Sequence, residues 1–78
     1  MKTTAYFDAI RLRTDRSTIE DAWIGRAIQT PVHENIQADG RIRRWVRVPE
    51  MENPYPRVIL LADGETVHNA FFDRRFVP

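Results

Sequence analysis

Arg57-Val58-Ile59-Leu60-Leu61-Ala62-Asp63-Gly64-Glu65-Thr66-Val67-His68-Asn69-Ala70-Phe71-Phe72-Asp73-Arg74 is the stretch that decides the fold. Two runs of strand-forming residues flank Asp63-Gly64. A type I′ turn needs positive φ at both central positions, and Asp-Gly is among the few pairs that accept it, so the stretch reads as a β-hairpin. With a two-residue turn, Leu60 faces Val67, Ile59 faces His68 and Arg57 faces Ala70. One face then carries Val58, Leu60, Val67, Asn69 and Phe71, the expected core. The other carries Arg57, Ile59, Leu61, Thr66, His68, Ala70 and Phe72.

Upstream, a second Asp-Gly pair, Asp39-Gly40, separates residues 33–38 from 41–48 and predicts a second hairpin, with Glu34 opposite Trp45. A three-residue loop in this hairpin would exchange its faces. Residues 49–56, with three prolines and no periodicity, read as a loop between the hairpins. Residues 73–78 form a tail or a short edge strand. Before the hairpins, Ser17-Thr18-Ile19-Glu20 matches a capping box, in which a serine hydroxyl and a glutamate carboxylate each satisfy a free helical N–H. The helix it opens is expected over residues 18–29, with Pro31 as the stop. Ile19, Trp23 and Ala27 form one row and Ile24 and Ile28 lie beside it. That apolar arc is wider than one sheet requires, so a helix–helix contact or a dimer interface would use the surplus. Tyr6, Phe7, Ala9 and Ile10 suggest an earlier short helix over residues 3–12, capped by Thr3 or Thr4, with a strand as the alternative. The expected architecture is α+β: one or two N-terminal helices packed on a roughly four-stranded antiparallel sheet, in a single domain covering residues 1–78.

Composition narrows the chemistry. The chain has 78 residues, no cysteine and a formal net charge of +1. A chain of this size buries only about 60% of its unfolded surface, and no disulfide can compensate. Thiolate metal sites and thiol catalysis are excluded. No apolar run approaches the ~18 residues that span a bilayer, and a cytoplasmic protein without a membrane partner is expected. Eleven of the twelve basic residues are arginine, from genome composition or from selection for planar forks that grip phosphate or carboxylate. His33-Glu34 and His68 are too few for a recognisable zinc site, and three glycines leave no phosphate-cradling loop, so no cofactor is expected.

Two groups of residues carry possible chemistry. The hairpin register sets Arg57 diagonally beside His68. A histidine titrating near neutrality can move a proton, and an adjacent arginine can stabilise a phosphorane-like charge, as metal-free RNA cleavage requires. Alternatively His68 is packed structurally and Arg57 is bonded to Asp73 or Glu50. In Arg41-Ile42-Arg43-Arg44-Trp45-Val46-Arg47, alternation sets Arg41, Arg43, Trp45 and Arg47 on one face, where an indole among guanidinium groups can stack a base and hold its phosphates. Equally, these are solvent-face arginines with Glu34 pairing Arg43 or Arg47.

Trp23-Ile24 with Pro31 after the helix, Asp39-Gly40-Arg41 with Trp45, Arg57-Val58, and the ending from Val67 to Arg74 resemble small bacterial uncharacterised or toxin-like proteins. More distantly, they resemble the RelE/BrnT-like toxin–antitoxin ribonucleases. That resemblance implies helices preceding an antiparallel sheet whose open face binds RNA. It nominates Arg57 and His68 for catalysis and Arg47, Asp73 and Arg74, beside Arg43 and Trp45, for substrate binding. It also implies an antitoxin partner that covers the basic face. The reading from another class is a non-enzymatic interaction module, homodimeric through Trp23, the wide helix face or the final strand, with Phe71, Phe72 and Phe76 at the interface.

Overall fold

The computed structural model describes residues 1–13, 19–49, 51 and 55–78. Two helices, α1 (Ala5–Ile10) and α2 (Asp21–Gln29), precede strands β1 (His33–Ile36), β2 (Ile42–Trp45), β3 (Pro56–Leu60) and β4 (Val67–Phe72). The strands form one antiparallel sheet in the order β1-β2-β3-β4, and the architecture is α+β.

Each helix starts for a local reason. The Thr4 hydroxyl accepts the Phe7 N–H at 3.1 Å, so Thr4 is the cap of α1. Phe7 and Ile10 then point one turn apart into the core, while Tyr6 stays outside. α2 begins at Asp21, later than the capping box predicts. Glu20 is extended and is itself the N-cap, without a side-chain hydrogen bond. The Ser17 half of the box lies outside the described residues. Asp21 in the first turn pairs with Arg11, tying the start of α2 to the end of α1. At the other end, Arg44 donates to the Ile28 carbonyl at 2.8 Å, a cation on the negative end of the helix dipole.

The wide apolar arc of α2 is covered within the chain. Ile19, Trp23, Ile24 and Ala27 are buried against Phe7, Ile10, Val46, Val48, Val58, Leu60, Val67 and Ala70. Trp23 meets Phe72 edge to face at 5.9 Å. Trp23 and Phe72 therefore belong to the core, not to a surface awaiting a second subunit.

Both Asp-Gly hairpins form, with turns other than type I′. Among the described residues none but glycine has positive φ, so Asp39 and Asp63 do not take the first I′ position; Gly40 sits at φ 90° and Gly64 at 74°. In the first hairpin Gly40 N–H bonds the Gln37 carbonyl, and Gln37 N–H bonds the Arg41 carbonyl. The loop has one residue more than expected, so Trp45 faces His33 and Arg44 faces Glu34. Glu34 accordingly pairs with Arg44, at 2.7 Å, and not with Arg43 or Arg47. In the second hairpin Leu61 and Thr66 close a four-residue loop. The Asp63 carboxylate accepts from the Thr66 hydroxyl and from the Thr66 and Glu65 amides, and these bonds lower its pKa to about 2.

The expected pairing of Leu60 with Val67 holds, but the ladder shifts immediately beyond it: Ile59 faces Asn69, Val58 faces Ala70 and Arg57 faces Phe71. His68 is the extra residue of a β-bulge. The cause lies at the other end of the chain. Val67 N–H donates to the Lys2 carbonyl at 2.9 Å, and the Val67 carbonyl accepts from Thr4 N–H at 3.0 Å. Residues 2–4 thus run beside the outer edge of β4. Beyond the bulge the faces are reversed relative to the two-residue-turn register. Ala70 and Phe72 turn to the helices, whereas Asn69 and Phe71 join Arg57 and Ile59 on the open face.

Candidate functional site

The open face holds a concavity of about 410 Å³ lined by Tyr6, Gln37, Arg41, Arg43, Arg57 and His68, with Ile59, Asn69 and Phe71 completing it. Strand parity places Arg43 and Arg57, the first hairpin loop supplies Gln37 and Arg41, and α1 contributes Tyr6 from the far edge.

Arg57 is clamped from three sides. Its Nε and Nη2 donate to Asp73 Oδ2 at 3.1 and 2.7 Å, and its guanidinium lies 4.9 Å from the Phe71 ring centre and 5.4 Å from that of Trp45. Trp45 Nε1 donates to the same oxygen at 2.9 Å, while Asp73 Oδ1 accepts the Arg75 amide. Burial pushes the Asp73 carboxyl up, but the hydrogen bonds from Trp45, Arg57 and Arg75 outweigh it and hold the group below the usual aspartate value. The pairing of Arg57 with Asp73 is the structural alternative named from the sequence; Glu50 lies outside the described residues. Glu50 aside, Asp73 serves as the anchor of this arginine.

His68 is held by its neighbours. Its Nδ1 lies 3.1 Å from the Thr4 hydroxyl, and its ring stacks on Tyr6 at 4.9 Å. The Thr4 oxygen accepts Phe7 N–H and keeps a second lone pair, so it can also accept Nδ1–H of a neutral imidazole, the tautomer that leaves the lone pair on Nε2. Burial lowers the pKa of His68 from the usual 6.5, and the Arg41 charge lowers it further, against a smaller opposing effect from Asp39. The neutral ring is therefore the dominant form at neutral pH. Among the described residues Nε2 has no hydrogen-bond partner.

Arg41 lies 3.7 Å from Asp39. Arg43 has no carboxylate partner among the described residues, and its buried Nε has no hydrogen-bond acceptor. It is the cation of the concavity least committed to the fold. An anion with several acceptor oxygens matches such a guanidinium fork.

Of the residues expected at a site, the concavity brings together His68, Arg57 and Arg43. Trp45 and Asp73 stand behind Arg57 as its clamp. Trp45 is only 5% exposed, and Phe76 stacks on it at 4.9 Å, so its ring offers no open platform. Arg47 and Arg74 are exposed but do not line the concavity. The Arg47 carbonyl accepts from Arg26 of α2. Tyr6, Gln37 and Asn69 were not singled out from sequence. Alternation through the longer loop would have added Gln37, and the bulge alone explains Asn69. No signal in the sequence joins Tyr6 to His68.

No family model, curated protein or solved structure matches this chain.

Proposed function

We propose that the open face binds RNA through its phosphates and that the protein is a toxin-like RNA-binding domain able to cleave RNA without a metal ion. The observation that supports this most is the convergence of Arg41, Arg43, Arg57 and His68 on one concavity, with Arg43 lacking a carboxylate partner among the described residues. Arg43 and Arg41 hold phosphate oxygens. Arg57, fixed by Asp73, adds a positioned positive charge. His68, neutral and with Nε2 available, takes the proton of a ribose 2′-hydroxyl as that oxygen attacks the adjacent phosphorus. The 5′-oxygen leaves as the P–O bond breaks and takes a proton from solvent water, so the products are a 2′,3′-cyclic phosphate and a 5′-hydroxyl. Charge on the phosphorane is stabilised by the guanidinium groups. An acidic antitoxin that covers the same arginines would silence the site.

The test is binding of a labelled RNA oligonucleotide across a salt series. Arg43→Ala should weaken binding about 10-fold at low salt and reduce the slope of log K against log salt by about 0.7, the value for one single-strand phosphate contact. Equal affinity and slope for the folded variant and the wild type would refute a phosphate role for Arg43.

A specific observation favours the second reading, a non-enzymatic module that self-associates. All four β1 residues are exposed on a sheet edge, and Ile36 is 68% exposed. Edge strands of this kind pair with other chains. Phe71, Phe72 and Phe76 no longer support that reading, since each packs within the chain. Monomeric behaviour at high protein concentration would remove it.

A further inference from the structure

The concavity contains more than phosphate chemistry. Phosphate oxygens accept hydrogen bonds and do not stack. Yet one wall is an aromatic pair, Tyr6 on His68 at 4.9 Å and 24° between planes, and Tyr6 remains 53% exposed. The lining also holds a buried amide oxygen, Gln37 Oε1, without a donor among the described residues. An unsatisfied buried acceptor is costly to a fold, and a bare phosphate diester cannot relieve it. A nucleobase can, because the Watson–Crick edge of every base carries an N–H donor beside an acceptor. A volume of about 410 Å³ is of the size that receives one small ligand.

We infer that the concavity is a subsite for one unstacked nucleotide of single-stranded RNA, whose base stacks on Tyr6 beside His68 and whose edge meets Gln37, while Arg43 holds its phosphate. This rests on the proposed RNA-binding reading and deepens it, assigning base contact to Tyr6 and not to the covered Trp45. Duplex RNA cannot enter in this way, because its bases are paired and stacked on one another.

The experiment compares wild type, Tyr6→Ala, Tyr6→Phe and Arg43→Ala on three probes: a single-stranded RNA octamer, the same octamer with abasic riboses throughout, and an octamer duplex. Tyr6 is exposed on α1, and circular dichroism checks that each variant is folded. Wild type should bind the single strand at least about 10-fold more tightly than the abasic strand or the duplex, in line with the contribution of base–aromatic stacking. Tyr6→Ala should erase that preference and leave abasic binding unchanged, and Tyr6→Phe should restore it. Arg43→Ala should weaken both single-stranded probes. If Arg43→Ala weakens binding while Tyr6→Ala keeps the wild-type preference, the base subsite is overturned and phosphate binding stands. If the duplex binds as well as the single strand, the subsite is likewise overturned. If wild type binds none of the probes, the RNA reading fails and the subsite with it.

Discussion

Replacing Asp73 with alanine should lower the unfolding free energy by about 3 kcal/mol, near the lower end for removing one partner of a buried charge pair. The Asp73 side chain is 9% exposed and that of Arg57 27%, so solvent relieves the stranded guanidinium only in part. Trp45 Nε1 loses its acceptor in the same step. For a domain of this size, such a loss should lower Tm by more than about 10 °C. Asp73→Asn should fall between alanine and wild type. Oδ2 accepts from both Arg57 and Trp45 while Oδ1 accepts from the Arg75 amide, and an amide cannot accept at both positions. Arg57→Leu/Asp73→Leu should recover much of the stability lost by Asp73→Ala, because the cost lies in an unpaired charge. Thermal or urea unfolding of these variants checks all three statements. A Tm for Asp73→Ala within about 2 °C of wild type would contradict the clamp, since a domain of this size moves about 4–8 °C per kcal/mol.

The second large effect concerns His68. On the proposed reading, His68→Ala should reduce RNA cleavage by about 10²- to 10⁴-fold, the usual contribution of a general acid–base group. The pH dependence carries a sign. A general base acts when deprotonated, and burial together with Arg41 moves the folded-state pKa below 6.5. The rate should therefore rise with pH in the acidic range and level off below pH 6.5. Arg41→Ala removes one cause of the lowering and should move the inflection to higher pH. A rate governed by a protonated imidazole would instead fall through the same range, and that profile would exclude His68 as the base. Hydrolysis of a fluorescent RNA substrate, followed from pH 4.5 to 8, distinguishes the two.

The parts of this fold visible in the sequence are those fixed by local chemistry. Asp63-Gly64 and Asp39-Gly40 mark both hairpins because glycine accepts positive φ, and of the two candidate caps, Thr3 and Thr4, it is the Thr4 hydroxyl that meets a free N–H. The register differences between expectation and structure are one residue in each hairpin. An aspartate side chain that hydrogen-bonds the following amides stabilises a longer turn as readily as a type I′ one, and in the first hairpin the longer loop moves every partner by one residue. The larger error lay beyond Val67. A strand has period two, so the single extra residue His68 exchanges Asn69 and Phe71 with Ala70 and Phe72 across the sheet. The backbone groups that stabilise the bulge belong to Lys2 and Thr4, more than sixty residues away in the chain. Hairpin patterning cannot register a partner so remote. The wide apolar face of α2 is used by Phe7 and Ile10 of α1 as well as by the sheet, in line with the helix–helix alternative. Phe72 reached Trp23 only because the bulge had turned it inward.

The candidate site was legible in residue type and less so in role. Arg57 with His68, and Arg43 within the Arg41–Arg47 cluster, are expected as two separate groups, and the fold brings all three to one concavity. Arg57, however, is bound to Asp73, and Trp45 is covered by Phe76, so the contacts left for a ligand fall to Arg41, Arg43, Tyr6 and Gln37. Residues 73–78, expected as a tail or a short edge strand, form no strand, and their Phe76 covers an indole. Phe76 touches Trp45, His33 and Tyr55.

The central claim, that RNA is held on the open face of the sheet, is tested most directly by titrating a single-stranded RNA octamer into isotopically labelled protein and following backbone amide shifts by NMR. The account predicts shifts at Gln37, Arg41, Arg43, His68 and Asn69 and none beyond noise at Ile24 or Ala27, which lie buried on the helix face of the sheet. Absence of shifts at saturating RNA, or shifts confined to α2 or to the exposed strand β1, would contradict it.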